Sequence, residues 1–263
     1  MEDALQISAW GVALAYLLLL FPAGLMLLWG MPLLGRSVLA VVRMTVQLLL
    51  VGFYLQFVFD LNSAWLNIAW LGVMVLVADA SILRGSGLRL WRFAGPMFLG
   101  LVVGTVIPLL VMLLLVIRPD QWYDARFFIP IGGMILGNCM RANIVGVRTF
   151  YEALRDDEPR YLTTLGQGAT LTEATRPFMR KAGEAALAPT IATIATIGLV
   201  SLPGMMTGVI LGGADPMTAI LYQIAIMLAI FAGTALTVGL VILLTRRSSF
   251  NEAGILDRSI FTR

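Results

Sequence analysis

Apolar stretches of about 20 residues recur along this chain, and they constrain its fold more than any other feature. A helix of that length crosses the hydrocarbon core of a bilayer and satisfies its own backbone hydrogen bonds there. Short connections containing glycine, proline or asparagine separate most of the stretches. The predicted spans are 8–29, 37–59, 65–83, 94–117, 127–147, 184–210 and 217–245. The pattern therefore predicts an all-α polytopic membrane protein with about seven transmembrane helices, forming a single transmembrane domain over residues 1–263.

Composition agrees with this class and excludes several kinds of function. Hydrophobic residues make up 59% of the 263 residues and charged residues 13%, whereas a soluble domain is about a quarter charged. Histidine is absent and Cys139 is the single cysteine, which excludes an intrachain disulfide, a Cys-pair metal site and a histidine-dependent catalytic triad. We expect the lipid bilayer to surround the chain, and we expect no nucleic acid among its partners.

A P-loop is also absent from the sequence. The chain's one lysine, Lys181, follows Arg180, whereas the lysine of a P-loop follows glycine. We therefore expect this chain to bind no cofactor, and any ATP that drives its activity to be used by a partner subunit.

The distribution of arginine predicts the orientation of the spans. Basic residues gather in the first, third and fifth connections and in the C-terminal tail, at Arg36, Arg84, Arg89, Arg92, Arg148, Arg155, Arg160, Arg176, Arg180, Lys181, Arg246, Arg247, Arg258 and Arg263. The opposite side holds only Arg118 and Arg126. The positive-inside rule then puts the N-terminus outside and the C-terminus in the cytoplasm.

The segment 148–183 is the one long hydrophilic connection, and the same rule makes it cytoplasmic. Its Thr170-Leu-Thr-Glu173 sequence predicts a capping box at the start of a helix. We expect Pro177 to interrupt that helix and Pro159 to end any helix continuing from the fifth span. The predicted shape is compact and suited to docking on a partner.

Three charged residues fall inside predicted spans, near their cytoplasmic ends: Arg43, Asp79 and Arg141. A charge at the bilayer centre costs about 2.5–3.5 kcal/mol on insertion scales, so each needs a physical reason. In one interpretation both arginines extend to the inner interface. In the other, Asp79 pairs with Arg43 or Arg141 and closes the cytoplasmic side of a pathway.

The fifth and sixth spans carry the polar residues of a candidate pathway. Gly132, Gly133, Gly137 and Gly146 of the fifth span favour close helix packing. In the same span Asn138, Cys139, Met134 and Met140 offer oxygen and sulfur to a passing metal, although no carboxylate or imidazole accompanies them, so the metal is unknown.

The sixth span is polar in a patterned way. Thr190, Thr193 and Ser201 share an arc of roughly 80°. Their hydroxyls either bond to carbonyls of their own helix or line a pathway that ends in a broken helix. Pro203 should kink or end the helix and free carbonyls near Met205 and Met206. The predicted pathway residues are Asn138, Thr190, Thr193, Ser201, Pro203, Met205 and Met206.

Three stretches together resemble one transporter family. IPIGGMILGN at 129–138, LGQGATLTEA at 165–174 and GLVSLPGMMTGVILGGADPMTAILYQ at 198–223 are similar to the FetB family of ABC permeases, which is related to plant aluminium-tolerance half-transporters. The resemblance implies a homodimeric permease of the bacterial inner membrane that exports iron from the cytoplasm with a separate FetA-like ATPase. It also implies a coupling helix that seats on the ATPase, with the matching residues Gly168, Ala169, Thr170, Glu173 and Ala174.

One departure from the family pattern leaves alternatives open. Many members carry an acidic and a basic residue in the sixth span, where this chain has Ala192 and Ala195. The cargo could therefore be another metal or a nucleotide sugar, and a non-transporting membrane scaffold or sensor is a further alternative. No paired carboxylates, nucleophile–base pair or metal cluster points to an intramembrane enzyme.

Overall fold

The computed structural model describes residues 8–87, 90–251 and 254–260. In these ranges the chain is helical, and strand-like pairing is limited to two isolated β-bridges. The α-helices are α1 (Ala9–Ala15), α2 (Leu20–Leu28), α3 (Leu34–Leu61), α4 (Ala64–Ser86), α5 (Leu90–Val111), α6 (Ala125–Asp156), α7 (Glu158–Gly166), α8 (Leu171–Thr196), α9 (Gly204–Leu211) and α10 (Pro216–Ser249). A 3₁₀ turn over Tyr16–Leu19 joins α1 to α2, and π-helical turns over Met112–Ile117 extend α5.

Six helical segments of the described chain are long and apolar enough to cross a membrane: Trp10–Leu28, Leu34–Leu61, Ala64–Ser86, Phe93–Ile117, Ala125–Asp156 and Pro216–Arg246. The all-α prediction is confirmed, and six such helices are compatible with about seven spans. The remaining predicted span, 184–210, is divided between α8 and α9.

Helix α6 lies at the centre of the bundle, where it packs against α4, α5, α8 and α10. Small residues permit these contacts, because a glycine lets two helix backbones approach closely. A Cβ added at Gly146 would lie 3.1 Å from the Cβ of Ala186, and one added at Gly132 would lie 3.3 Å from a methyl of Leu71. A Cβ at Gly137, in contrast, would meet nothing within 4 Å. Packing therefore explains Gly132 and Gly146 but not Gly137.

Helices α1 to α3 lie outside this bundle. The most apolar windows of Trp10–Leu28 and Leu34–Leu61 contain no buried residue. The Tyr16 hydroxyl hydrogen-bonds to Thr45 and so joins the two segments. Asn62, at the end of α3, is tied to the bundle, because its side chain donates to Gln121 and accepts from the backbone of Ala125. The last turns of α3, which include the buried Val58, are thus anchored, while most residues of α3 ahead of Tyr54 stay exposed.

The prediction that Pro177 interrupts a short helix is wrong. Helix α8 runs without a break through Pro177 and Pro189. Ala174, Phe178 and Ala182 recur every four residues and are buried in the contact with α6, so packing outweighs the missing proline donor. Pro177 has no N–H to donate to the Glu173 backbone carbonyl, but Glu173 is exposed, so water can solvate that carbonyl.

The predicted helix break near Pro203 begins earlier than expected. Helix α8 ends at Thr196, and Gly198 adopts a positive φ of +85° that an L side chain rarely adopts. Pro203 then precedes the first turn of α9, and its carbonyl accepts from the backbone of Thr207. Met205 and Met206 therefore lie inside a helix, and the expectation of free carbonyls beside them is wrong. The interruption covers residues 197–203.

Candidate functional site

The predicted capping box at the start of α8 is confirmed. Thr170 Oγ1 accepts from the Glu173 backbone N–H at 3.3 Å, and Glu173 Oε2 accepts from the Thr170 backbone N–H at 2.8 Å. The Thr170 hydroxyl also donates to Glu173 Oε2 at 2.7 Å. These hydrogen bonds favour the charged carboxylate and hold the pKa of Glu173 below its usual value. The cap fixes the point at which the α7–α8 connection becomes helix.

The connection ahead of this cap is accessible. Gly168, Thr170 and Glu173 are exposed and Ala169 is half-buried. Gly168 makes the turn with a φ of +90°. Ala174 differs from the other predicted coupling residues because it is buried against the core. Four of these residues thus present a surface, and the fifth anchors it.

The C-terminal segment packs behind this surface, and this contact was not predicted from the sequence. The Tyr161 hydroxyl of α7 donates to the Gly254 carbonyl, and Leu256 and Ile260 are buried. Burial raises the pKa of Tyr161 to about 12, against an opposing effect of Arg246. Apolar residues spaced along an otherwise polar tail were the available signal. We call the assembly of α7, the first turns of α8 and residues 246–251 and 254–260 the polar end.

Arg246, near the end of α10, joins the polar end to the bundle. Its Nη1 donates to Thr175 Oγ1 at 3.2 Å, and it also approaches the Met179 sulfur at 3.9 Å. Thr175 is fully buried and lies on the α8 turn that follows the capping box. A displacement of the start of α8 must therefore involve α10.

A cavity of about 660 Å³ opens between α6, α8 and α10. Three predicted pathway residues line it, namely Asn138, Thr190 and Thr193, together with Arg141. The other lining residues are Ala142, Ile144, Val145, Ala186, Pro189, Met227 and Ile230. We call this space the inner cavity; Arg141 lies about 24 Å along α6 from Ala125, in the half of α6 that leads to α7. The structure thus brings polar groups of the fifth and sixth predicted spans together.

Asn138 holds the Arg141 side chain in the inner cavity. The Asn138 amide donates to the Met134 carbonyl at 2.8 Å, and its Oδ1 accepts from Arg141 Nη2 at 3.2 Å. The Thr193 hydroxyl donates to the Pro189 carbonyl at 2.9 Å, so the expectation that hydroxyls bond their own helix holds for Thr193. Thr193 keeps lone pairs that can accept.

A second cavity of about 370 Å³ adjoins the first and shares Met227 with it. Pro203 and Met206 line this outer cavity, whereas Ser201 and Met205 do not. Its lining is largely apolar, and Gln223 has a buried Oε1 that accepts no hydrogen bond from any described residue. The two cavities lie side by side along α10, the first against α8 and the second mainly against residues 197–203 and Met206 of α9.

The ion pair envisaged for Asp79 is not formed in this structure. Among ion pairs of the described residues, none joins Asp79 to Arg43 or Arg141. Asp79 is buried in α4, and its Oδ1 has no hydrogen-bond partner in the described parts of the chain. Arg43 is exposed on α3 and Arg141 faces the inner cavity. The gating role of the three charges stays a prediction.

Groups that could hold a metal are sparse in the described ranges. No cluster of three or more Cys, Asp or Glu side chains occurs there. Cys139 is fully buried and directs its Sγ toward the Gly104 carbonyl at 3.8 Å, while Asn138 faces the inner cavity. Asn138 and Cys139 therefore do not form one ligand set. Ala192 and Ala195 are exposed and line neither cavity.

Comparison with known proteins gives a consistent set of relatives. The UPF0014 membrane protein slr1647 of Synechocystis is 35% identical over 96% of this chain and 98% of its own length. The protein ALUMINUM SENSITIVE 3 of Arabidopsis thaliana is 35% identical over 73% of this chain and 69% of its own length. The "Probable iron export permease protein FetB" of Escherichia coli is 31% identical over 80% of each chain.

No solved structure matches the chain. The profile described as "Uncharacterised protein family (UPF0014)" matches residues 9–250, almost the whole sequence. With its apolar helices and these relatives, the chain is a multi-pass membrane protein, and it belongs to the UPF0014 family.

Proposed function

We propose that this chain is the permease subunit of an ABC-type exporter of the bacterial inner membrane, and that it exports iron with energy from a separate ATPase chain. The relative from Escherichia coli carries the name of a probable iron export permease. That name supports the transport class and the cargo. The basic residues of the polar end support an orientation with that end in the cytoplasm.

The observation that carries the proposal is the continuity of α8. One helix begins at the exposed capping box and continues to Thr190 and Thr193 in the inner cavity. The distance along the helix from Thr170 to Thr190 is about 30 Å. Because α8 packs on both α6 and α10, a push at the cap shifts one wall of the cavity. This is the mechanical link that an externally powered permease requires.

A second copy of the chain is the partner we propose for α3. Arg43 and Gln47 are both exposed, and their spacing of four residues puts them on one face of this apolar helix. An arginine facing lipid is costly, so a protein partner that supplies acceptors would stabilise it. Packing of α3 against a second copy would cover this face and complete a homodimeric permease.

Cellular iron content tests the proposed function. In a strain lacking the gene and grown under iron excess, we expect raised iron that the wild-type chain restores to normal. Glu173→Arg should fail to restore it, because the capping carboxylate is lost at the docking surface. Glu184→Arg is the matched control, since Glu184 is an exposed glutamate of the same helix that pairs with Arg180. Iron that is unaffected by the deletion would remove iron as the cargo.

A further inference from the structure

The inner cavity presents hydrogen-bond donors and a positive charge. Arg141 is the one charged residue among the residues that line it. Asn138 Oδ1 engages a single guanidinium N–H at 3.2 Å, and a guanidinium has five. The amide that holds Arg141 is itself fixed by its bond to the Met134 carbonyl. The guanidinium is thus positioned by the protein, with most of its donors available.

Acidic groups that could neutralise Arg141 lie elsewhere. Glu152 on α6 pairs with Arg148, and Glu184 on α8 pairs with Arg180. Asp79 is buried on α4 and makes no ion pair with Arg141 among the described contacts. A positive charge at membrane depth is costly when uncompensated. The cavity therefore favours a ligand that brings negative charge.

The two threonines that line the inner cavity indicate which further ligand groups it can bind. The Thr190 hydroxyl makes no hydrogen bond within the described chain and can donate to a ligand. The Thr193 hydroxyl already donates its hydrogen bond to the Pro189 carbonyl, so toward a ligand it can only accept one, for example from a hydroxyl. A volume of about 660 Å³ suits a small molecule better than a single metal ion.

We propose that the inner cavity is a binding site for a small organic anion, held through a carboxylate or phosphate by Arg141 and Thr190. The guanidinium fork matches both anions in geometry. This inference rests on the proposed function and names its cargo class: a metal cargo enters the cavity as an anionic chelate and not as a bare cation. Thr193 accepts from a hydroxyl of the same molecule.

Binding to the full-length chain in nanodiscs of neutral phosphatidylcholine tests the site. The probes are ferric citrate, glucose 1-phosphate and Fe(II) alone, and calorimetry measures the binding of each. We expect one or both anions to bind and Fe(II) to bind more weakly. Arg141→Gln should weaken anion binding about tenfold or more, because a charge-assisted hydrogen-bonded contact is lost. Arg141→Lys should retain part of the affinity.

Arg148→Gln is the matched control, since Arg148 is exposed on the same helix and lies outside the cavity. We expect it to bind anions as the wild type does. Equal anion affinity in Arg141→Gln and wild type would overturn the proposal, and so would binding of Fe(II) together with no binding of either anion. A membrane lipid as the true ligand would show as Arg141-dependent stabilisation by phosphatidylglycerol with no response to either soluble anion, and this too would overturn it.

Failure of this site and failure of the proposed function give different results. Export that persists in Arg141→Gln but stops in Glu173→Arg would remove the anion site and leave the permease function standing. Arg141-dependent anion binding in a chain whose deletion leaves cellular iron unchanged would keep the site and remove the iron cargo.

Discussion

At the scale of single residues, the proposed function assigns force transmission to the start of α8 and ligand binding to the inner cavity. Thr170 and Glu173 close the start of α8 with reciprocal hydrogen bonds. Asn138 orients Arg141 in the inner cavity. The spacing of Thr170 and Glu173 made the cap predictable from sequence. The placement of Arg141 in the cavity was not predictable, because the sequence does not show which helices meet its face.

Tyr161 gives a residue-scale prediction about pH. Its protonated hydroxyl donates to the Gly254 carbonyl, and burial raises its pKa from 10.0 to about 12. The folded state therefore holds this proton more tightly than the unfolded state. The resulting stabilisation is complete below pH 10 and is lost as the pH rises to about 12. We expect proteolysis of the C-terminal tail to accelerate across that interval.

The Tyr161→Phe variant is the control for this titration. It lacks the hydroxyl, so its tail should be cut faster at neutral pH, in line with loss of one hydrogen bond worth about 1 kcal/mol. The step between pH 10 and 12 should also be absent. A step of the same size in Tyr161→Phe would show that another group controls the tail.

At the scale of helices, glycine contacts set how closely the bundle packs. A Cβ at Gly104 of α5 would lie 2.5 Å from the Thr237 Cβ and 3.0 Å from the Gly233 carbonyl oxygen on α10. Gly104→Ala should therefore destabilise the bundle by about 1–3 kcal/mol through overpacking. Gly137→Ala, on α6, meets nothing within 4 Å and should be neutral or slightly stabilising. Thermal unfolding in detergent would measure both, and equal losses would contradict the α5–α10 contact.

Helix patterns were predictable only in part. The length of the apolar stretches located the spans, because a helix needs about 20 apolar residues to cross the hydrocarbon core. The course of α8 through Pro177 was not predictable, since burial of Ala174, Phe178 and Ala182 on α6 overrides the local preference of proline. The break at residues 197–203 was expected at Pro203, but Gly198 with its positive φ begins it. Both ends of the break carry a local signal, since Gly198 lies at its start and Pro203 directly precedes the next helix.

At the scale of the whole molecule, the uncovered α1–α3 segment predicts association of two chains. Gln47→Leu, which removes a polar group from the proposed interface on α3, should weaken the dimer. Gln56→Leu is the matched control, because Gln56 is also exposed on α3 but lies about 180° around the helix from Gln47. Mass measurement in detergent over a dilution series would compare the variants. Equal dissociation of the two would contradict this interface.

The central claim is that α8 carries motion from an ATPase docked on the polar end to a cavity that holds the cargo. Iron accumulation in inside-out proteoliposomes that contain the chain and its ATPase tests it, with iron supplied as Fe(II) or as ferric citrate. We predict ATP-dependent accumulation for wild type and Thr170→Ser, which keeps the capping hydroxyl. Thr170→Val loses the cap, which is worth about 1 kcal/mol, and should accumulate iron about fivefold more slowly while ATP hydrolysis continues. Equal accumulation in Thr170→Val and Thr170→Ser, or no ATP-dependent accumulation of iron in either form, would contradict the account.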